Sequence, residues 1–409
     1  MYVVRSTCRS CGGSDLELVL ALGEMPLPDA LLLPSQLEEP ERRYPLDVAF
    51  CRDCALVQLM QTVSLMEMYD GRYGHLSSAS AARLAHLRTS AEQLIEQRGL
   101  DGNSYVIEIG SNDGSMLRCF QARGVPTLGI EPAPGPASEA RRAGIATLPT
   151  FFTKDLAGQL AAEGRKADVI IANQVLSRVP DLHGFLAGVR VLLGETGVLV
   201  IEVPYVRDLI ESGAFDTVNH EQLSYFSLTS LVHLFDGAGL SLNHVERLPE
   251  CGGSLRLFLA RARHVQPSVA RLLEEEAAAG VADASYYAGF AWRAELVRSR
   301  LIALLESLKA SRKRIVGYGA EGMGSTMLNY CGVDENYLDY VVDLNIQKQG
   351  RFMPGVHLPV LNPDRLVSNH PDYVLLLAWT ARDEVLSQQE AYRRQGGRFI
   401  VPLPEPAII

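Results

Sequence analysis

Four cysteines near the start of the chain have the spacing of metal ligands. They form two pairs, Cys8-x-x-Cys11 and Cys51-x-x-Cys54. A tight turn with this spacing points both thiolates at one ion, and four thiolates form the closed shell of a structural zinc site. Two redox-active or simply buried pairs are the alternative, which this spacing disfavours. The sequence therefore predicts one zinc ion bound by Cys8, Cys11, Cys51 and Cys54, which stabilises a small module and takes no part in chemistry.

A glycine-bearing turn in the middle of the chain has acidic residues on both sides. The stretch "VIEIGSNDGS" contains Glu108, Gly110, Asn112 and Gly114, and Glu131 ends the next apolar run, "LGIE". Small residues let a ligand approach the backbone at the carboxyl edge of a parallel sheet, and an acid after the second strand suits two ribose hydroxyls. The turn looks like the loop of S-adenosylmethionine-dependent methyltransferases. An ordinary strand-to-helix turn between surface acids is the alternative.

A second turn, "GYGAEGMG", has glycines at positions 317, 319 and 322, the G-x-G-x-x-G spacing of dinucleotide-binding folds. Asp343 ends the next apolar run, where such folds place the acid that binds a ribose. Because this spacing alone is a weak signal, it leaves open which nucleotide, if any, the turn binds.

These residues need rigid elements to position them, and the hydrophobic pattern provides two sets. Apolar runs of strand length alternate with helical stretches over residues 105–204 and again over 314–403. This alternation is typical of parallel sheets covered by helices on both faces. The N-terminal residues instead form short apolar runs and loops, which suggests a module with little core of its own.

We therefore predict an α/β fold in three parts. Residues 1–72 form a small zinc-binding N-terminal module, residues 73–261 a doubly wound methyltransferase domain, and residues 262–409 a second, smaller Rossmann-like domain. Within the second part, the apolar spacing predicts a helix over 77–97 ahead of the first strand.

Composition excludes several other classes. A content of 47% hydrophobic and 21% charged residues is that of a folded globular chain, and a net charge of −10 disfavours a nucleic-acid surface. No apolar stretch is long enough to span a membrane, and the first residues lack the apolar core of a secretion signal. We expect a cytoplasmic monomer that binds neither nucleic acid nor membrane.

Several segments together resemble one family along nearly the whole chain. They are the cysteine pairs, the turn at 108–114, "NHEQLSYFSL", "CGGSLRLF" and "GYGAEGMGSTMLNYCG". The family is that of the sugar C-methyltransferases of antibiotic deoxysugar biosynthesis, which act on TDP-linked 4-keto sugars. The resemblance implies that the middle domain binds S-adenosylmethionine, that the C-terminal domain helps to hold the nucleotide-sugar, and that the methyl group goes to the carbon beside the ketone, C-3.

The resemblance also implies two sets of binding residues. Cofactor binding is expected from Glu108, Gly110, Asn112, Gly114, Glu131 and Asn173. Contact with the TDP-linked 4-keto-deoxysugar is expected from Asn219, Gln222, Gly319, Ala320, Gly322 and Lys348.

The chain departs from the family at the expected catalytic base. The family's Tyr-His-Glu-His reads Asn219-His220-Glu221-Gln222 here, so the histidine favoured as the base is a glutamine. Methylation beside a ketone still needs a base for the departing proton and donors for the enolate oxygen. The carboxylate of Glu221 is retained.

Four residues are then the catalytic candidates. Tyr73, in "GRYGHLSS", matches the family motif and becomes the expected base, with Glu221 and His220 orienting the sugar. Arg178 stands where the family has a second histidine, and it could stabilise an enolate or contact a phosphate. Core, rim or solvated positions are the alternatives for Tyr73 and Arg178.

The G-x-G-x-x-G turn supports a second hypothesis of function. An NADPH-dependent 4-ketoreductase acting on the same keto sugar, or a bifunctional methyltransferase and ketoreductase, would use this turn for the nicotinamide cofactor. A non-catalytic nucleotide-sugar binder is a third hypothesis, which the intact turn at 108–114 disfavours.

Overall fold

The N-terminal module is built on an antiparallel sheet. The structure, a computed structural model, describes residues 2–68 and 76–409. The elements of the module are β1 (Tyr2–Val4), β2 (Leu16–Pro26), β3 (Arg43–Cys51), β4 (Val57–Leu59), β5 (Gln61–Val63) and the short helix α1 (Leu65–Met68). Strands β2, β3 and β4 form one sheet, whose other edge strand, Ser224–Tyr225, comes from the middle of the chain, while β1 pairs with β5.

The N-terminal module, expected to have little core of its own, shares a core with the C-terminal part of the chain. A single buried cluster contains Leu20, Met25, Val48 and Phe50 from the module and Tyr287, Leu301, Leu305 and Met327 from the C-terminal part. The Phe50 and Tyr287 rings lie 4.9 Å apart, centre to centre. Local sequence patterns could not show this core, since the two halves of it are far apart in the chain.

The middle domain contains a seven-stranded sheet in the order β12-β13-β10-β9-β6-β7-β8. The strands in this part of the chain are β6 (Val106–Ile109), β7 (Thr127–Ile130), β8 (Thr147–Leu148), β9 (Ala167–Asn173), β10 (Leu193–Pro204), β11 (Ser224–Tyr225), β12 (Ser241–Leu248) and β13 (Ser254–Ala260). Six of the seven run in the same direction, and β13 alone is reversed, so that it forms an antiparallel hairpin with the edge strand β12. The predicted parallel sheet is confirmed, although the antiparallel hairpin was not foreseen.

Helices cover both faces of this sheet. They are α2 (Ala81–Arg98), α3 (Ser115–Gln121), α4 (Pro134–Arg142), α5 (Lys154–Ala162), α6 (Leu182–Leu192) and α8 (Leu228–Phe235), whereas α7 (Val206–Ser212) packs into the core shared by the N-terminal module and the C-terminal part. Side chains of β9 alternate between two cores, with Val169 and Ile171 in one and Ile170 and Ala172 in the other. Successive side chains of a strand point to opposite faces of the sheet, and both faces are buried here. The strand therefore appears as a continuous hydrophobic run in the sequence.

Helix α2 begins later than its apolar spacing predicts. Residues 77–79 form a 3₁₀ turn, and the α-helix starts at Ala81 because the Ser80 hydroxyl accepts a hydrogen bond from the Arg83 amide at 3.2 Å. It ends at Gly99, which adopts the left-handed conformation with φ of 59°. This cap places Arg83 in the first turn of the helix.

The core of the middle domain continues beyond the boundary predicted at residue 262. Helix α9 (Pro267–Ala279) contributes Val269 and Leu272 to the same core as β10. Its buried Glu276 accepts hydrogen bonds from the amides of Leu228 and Thr229, at 2.7 and 2.8 Å, at the start of α8. The carboxylate therefore satisfies two amides that have no partner within α8.

The C-terminal domain contains a six-stranded sheet in the order β16-β15-β14-β17-β18-β19. Its elements are α10 (Ala284–Tyr287), α11 (Phe290–Ala310), β14 (Ile315–Tyr318), α12 (Gly322–Cys331), β15 (Val341–Val342), β16 (Val360–Leu361), α13 (Asp364–Asn369), β17 (Tyr373–Leu376), α14 (Arg382–Gln388), α15 (Glu390–Arg394), β18 (Arg398–Val401) and β19 (Ala407–Ile408). All its strands are parallel except β19, so the predicted second α/β set is present.

Over the described ranges, no helix has the length and apolar character that crossing a membrane requires.

A buried carboxylic acid joins the middle and C-terminal domains. The indole N–H of Trp379 donates to the Asp216 Oδ2 at 2.8 Å, and Asp216 is fully buried. Burial raises the pKa of Asp216 to about 7, well above its ordinary value. The folded protein therefore holds a proton here, between about pH 4 and pH 7, that the unfolded chain releases.

We predict that Asp216 makes the protein less stable as the pH rises through this window. The unfolding free energy of the native chain should fall by about 2–3 kcal/mol more between pH 5 and pH 8 than that of Asp216→Asn, which stays neutral throughout. Denaturant titrations at the two pH values and constant ionic strength measure the difference. The exposed Asp236→Asn is the matched control, and equal pH dependence in native chain and Asp216→Asn would contradict the assignment.

Candidate functional site

A cavity of about 280 Å³ lies at the carboxyl edge of the middle sheet, beside the turn that follows β6. Gly110 and Asn112 line it from this turn, and both adopt positive φ angles, 72° and 49°. A Cβ atom on Gly110 would lie 2.5 Å from Val175, so only glycine fits there without a shift. The cavity, here called the first cavity, thus occupies the place where open α/β sheets bind ligands.

Glu131 lines the first cavity from the end of β7. Its two carboxylate oxygens accept hydrogen bonds from the backbone amides of Asn112 and Ala133, at 2.8 and 2.7 Å. Burial raises the pKa of Glu131 above its ordinary value, although these two amides oppose the shift. Each oxygen retains acceptor capacity, so the carboxylate is held in a fixed orientation and can still bind hydroxyl groups.

Two buried acceptors near the first cavity lack hydrogen-bond partners among the described residues. They are Asn173 Oδ1, on the cavity wall, and Glu108 Oε2. Burial raises the pKa of Glu108 well above its ordinary value. An unsatisfied buried acceptor is costly, so Asn173 fits a wall to which a ligand donates a hydrogen bond, whereas Glu108, also predicted to bind the cofactor, does not line the first cavity.

Gly114 was also predicted to bind the cofactor, but it does not line the first cavity. It adopts a φ of 73° at the start of α3, and a Cβ atom there would lie 2.8 Å from Ile145. The residue is therefore needed for close packing between the turn and the loop that precedes β8. A binding role for Gly114 stays a prediction that these contacts do not support.

A second cavity, of about 210 Å³, adjoins the first and is bounded by all three parts of the chain. Asp29 comes from the N-terminal module, Glu221 and Gln222 from the middle domain, and Glu321 and Gly322 from the C-terminal domain. Arg83, Gln174 and Arg178 line both cavities. A group bound in the first cavity can therefore face a molecule bound in the second.

Glu221 is the buried acid of the second cavity. Its carboxylate forms an ion pair with Arg178, and its amide donates to the Asn219 side chain at 3.0 Å. Burial raises the pKa of Glu221 to about 7, and nearby Asp29 adds to the shift while Arg178 opposes it. A carboxyl group with a pKa near neutrality can both accept and return a proton at physiological pH.

The three neighbours of Glu221 in the sequence, Asn219, His220 and Gln222, differ in whether they face the second cavity. Asn219 and Gln222 line the second cavity, and the buried Oε1 of Gln222 has no hydrogen-bond partner among the described residues. His220 does not line the cavity, because its Nε2 lies 3.2 Å from the carbonyl of Tyr44 and 3.3 Å from that of Pro45. Burial lowers the pKa of His220 to about 4, so the ring is neutral at physiological pH. It contacts the backbone of the N-terminal module and not the cavity.

The C-terminal glycine turn is engaged within its own domain. The Ala320 amide donates to Asp343 at 2.8 Å, and the buried Lys348 Nζ donates to the Ala320 carbonyl at 2.9 Å. Gly319 and Lys348 line a third cavity of about 110 Å³, whereas Gly322 faces the second. The amide and ammonium groups expected to contact the substrate therefore already have partners in this structure.

Tyr73, the predicted base, lies outside the described residues, and its role stays a prediction. Leu65 and Ser77, which are described, both line the first cavity. Sequence reasoning did not identify Asp29, Arg83, Gln174, Tyr205, Tyr225 and Glu321 as lining residues of the second cavity. Among these, Tyr225 and Glu321 lie inside quoted family segments, whereas no sequence signal distinguishes the rest.

The four cysteines of the N-terminal module converge as predicted. Their sulfur atoms all lie within 4.8 Å of one another, with Cys8 and Cys54 at 3.5 Å and Cys11 and Cys51 at 3.6 Å. Tetrahedral zinc, with Zn–S bonds of about 2.3 Å, places its ligands about 3.8 Å apart. The donor set and its spacing therefore fit a closed zinc site with no position for substrate.

The strand order of the middle sheet, the glycine turn after β6 and the acid after β7 together define a class. A mostly parallel sheet with an antiparallel hairpin at one edge, and a ribose-binding acid after the second strand, is the architecture of S-adenosylmethionine-dependent methyltransferases.

Comparison with known proteins gives the family within this class. Family models match in succession along the chain: "Putative zinc binding domain" at residues 8–69, "Methyltransferase domain" at 80–245 and "C-methyltransferase C-terminal domain" at 249–404. The chain is 36% identical over 405 residues to the C-methyltransferase NovU of Streptomyces niveus, covering 98% of this chain and 96% of NovU. The chain therefore belongs to this C-methyltransferase family, and the prediction of an S-adenosylmethionine-dependent C-methyltransferase is confirmed.

More distant likenesses are confined to part of the chain. A ubiquinone biosynthesis O-methyltransferase of Azorhizobium caulinodans is 25% identical over 142 residues, which are 32% of this chain and 54% of that protein. The structure of magnesium protoporphyrin IX methyltransferase from Synechocystis PCC 6803 is 16% identical, covering 49% of this chain and 86% of that one, with a TM-score of 0.34. Likenesses of this size carry no functional argument.

We predict that loss of one thiolate removes the metal and weakens the N-terminal module. Cys51→Ser should reduce the zinc content from one ion per chain to nearly none and lower the unfolding free energy by about 2 kcal/mol or more, since metal binding and folding are coupled. Metal analysis and denaturant titration measure the two effects. Cys119→Ser, which lies outside the cluster, is the control, and an unchanged zinc content in Cys51→Ser would contradict the ligand assignment.

Proposed function

We propose that the enzyme methylates C-3, the carbon beside the ketone, of a TDP-linked 4-keto-deoxysugar, with S-adenosylmethionine as the methyl donor. The observation that carries this proposal is the junction of the first and second cavities at Arg83, Gln174 and Arg178. It provides a donor site and an acceptor site that face each other. The family resemblance supports the choice of a keto sugar as the acceptor.

The first cavity is assigned to the cofactor, which supplies an electrophilic methyl group when bound. Glu131 accepts from the ribose hydroxyls, and Gly110 and Asn112 bring the backbone of the turn close to the ligand. The aromatic rings of Phe152 and Phe185, whose centres lie 5.4 Å apart, line the same cavity and offer apolar surface to a base.

The second cavity is assigned to the keto sugar, and Glu221 to the proton transfer. The ionised carboxylate would take the proton from C-3, and the electron pair of that C–H bond would form the enolate. The enolate carbon would then be the nucleophile for the cofactor's methyl group, with the S–CH3 bond breaking and its electron pair leaving on the sulfur of S-adenosylhomocysteine. Glu221 afterwards releases the proton to solvent. Its burial and its pKa near 7 suit this role, and Arg178 lies beside it as a cation for the enolate oxygen.

Tyrosines of the second cavity can assist as hydrogen-bond donors. Burial raises the pKa of Tyr225 above its ordinary value, so its phenol stays protonated. The Tyr225 hydroxyl is buried on the wall of the second cavity, beside the backbone of Asn219. A neutral donor of this kind stabilises a developing oxyanion without being consumed. Tyr73 remains the alternative base.

Reduction of the ketone by NADPH is the second hypothesis, and no contact favours it. The third cavity, beside the C-terminal glycine turn, has carboxylates of Glu321, Asp343 and Glu384 on its walls. Asp343 already accepts the Ala320 amide of the turn, a group that a dinucleotide phosphate would need. A diphosphate bound in the third cavity would meet these carboxylates and an occupied amide, beside two cations, Arg83 and Lys348, of which Lys348 already donates to the Ala320 carbonyl.

Incubation of the enzyme with a TDP-4-keto-deoxysugar tests both hypotheses. With S-adenosylmethionine alone, we expect a product heavier by one methylene, with the new carbon attached to C-3 by NMR. With NADPH alone, we expect no consumption of NADPH. Reduction of the ketone without methylation would overturn the proposal in favour of the reductase.

We predict that Glu131→Ala weakens binding of S-adenosylhomocysteine, the demethylated product, by about 1–3 kcal/mol, because charge-assisted hydrogen bonds to the ribose are lost. Calorimetry measures the affinity. The exposed Glu163→Ala serves as the control, and thermal unfolding shows whether the turn held by Glu131 remains intact. Unchanged affinity in a folded Glu131→Ala protein would place the ribose elsewhere.

We predict that Glu221→Gln abolishes both methylation and the exchange of the C-3 hydrogen for deuterium in D₂O without cofactor. In the native enzyme, exchange should increase with pH up to a plateau above about pH 7, because only the ionised carboxylate accepts the proton. Mass spectrometry follows the exchange, and Glu211→Gln is a control at an exposed acid. Exchange that survives in Glu221→Gln but disappears in Tyr73→Phe would identify Tyr73 as the base.

A further inference from the structure

Arg83 lies where the cavities of the site meet. It lines the first, second and third cavities, and its Nε is buried. The Ser80 hydroxyl that accepts the Arg83 amide also donates to Glu384 of the C-terminal domain at 3.2 Å. The Ser80 hydroxyl therefore links the first turn of α2, which contains Arg83, to the C-terminal domain.

The lining residues define two ends of the first cavity. Glu131, Phe152 and Phe185 line the first cavity alone and form the end assigned to the nucleoside. Arg83 and Gln174 are shared with the second cavity and form the other end. Since the methyl group must face the second cavity, the amino-acid part of the cofactor, attached to the same sulfur, lies at this end.

The charges at this end suit the two ionic groups of an amino acid. Among the described residues, Arg83 and Arg178 are the cations that line the first cavity. Arg178 forms its ion pair with Glu221 of the second cavity. Asn173, which directly precedes Gln174 in the chain, lines the first cavity, and its buried Oδ1 has no hydrogen-bond partner in the described ranges.

We infer that Arg83 binds the α-carboxylate of the methionine part of S-adenosylmethionine, and that Asn173 accepts a hydrogen bond from its α-ammonium group. The inference rests on the proposed use of the first cavity for the cofactor. Arg83 thus positions the sulfonium at the junction, because it fixes the end of the cofactor opposite Glu131. Its guanidinium attracts Glu108 of the middle domain and Glu321 of the C-terminal domain, so the anchor lies where these two domains meet.

Two ligands that differ only in the amino-acid part test this inference. S-adenosylhomocysteine carries the carboxylate, and 5′-methylthioadenosine lacks both the carboxylate and the ammonium group. Arg83→Gln should weaken S-adenosylhomocysteine binding about 10- to 100-fold and leave 5′-methylthioadenosine binding within about twofold of the native value. Arg88→Gln, exposed on the same helix, should change neither affinity. Calorimetry with the full chain measures all of these.

Other outcomes separate the possible failures. Equal weakening of both ligands by Arg83→Gln, or no weakening of either, would overturn the role of Arg83. Weaker TDP binding with unchanged S-adenosylhomocysteine binding would assign Arg83 to the substrate diphosphate and also overturn it. If the native protein itself does not bind S-adenosylhomocysteine, the proposed function fails before Arg83 is tested.

Discussion

The hydrophobic core shared by the N-terminal module and the C-terminal domain is the interaction on which the site depends. The rings of Phe50 and Tyr287 are in contact within it, and the backbone pairing of Leu32 with Phe352 extends the contact. This core brings Asp29 and Gly322 to the same cavity wall. Without it, the second cavity would have the middle domain on one side and solvent on the other.

The two glycine turns are held by the same kind of hydrogen bond but differ in the cavity that lies beside them. In each, the acid after the second strand accepts a backbone amide of the turn, from Asn112 to Glu131 and from Ala320 to Asp343, both at 2.8 Å. The first turn opens onto a large cavity lined by aromatic rings. The second is closed by Lys348, whose buried ammonium group satisfies the neighbouring carbonyl. The same local geometry therefore lies beside a cavity of about 280 Å³ in one domain and beside a cavity of about 110 Å³, with a lysine hydrogen-bonded to the turn, in the other.

Local patterns predicted the parts of the molecule that depend on local physics. The strands around Val106 and Ile315, the cysteine cluster and the turn at Gly110 follow from apolar runs, ligand spacing and backbone conformation. The shared core, the antiparallel hairpin and the lining of the second cavity did not follow, because each joins residues far apart in the chain. His220 shows the limit most clearly, since only the fold reveals that its ring points at Tyr44 and away from the cavity.

Strand β11 completes the edge of the N-terminal sheet beside β4. During synthesis, the ribosome makes the module first, and the strand that closes its edge and the helix α11 that covers its apolar face emerge much later. Until then the nascent module presents an unpaired edge and exposed Val48 and Phe50, the surfaces that promote association with other chains. We therefore expect chaperone dependence during translation and poor recovery of the isolated module, because the strand that closes its sheet comes from the middle of the chain.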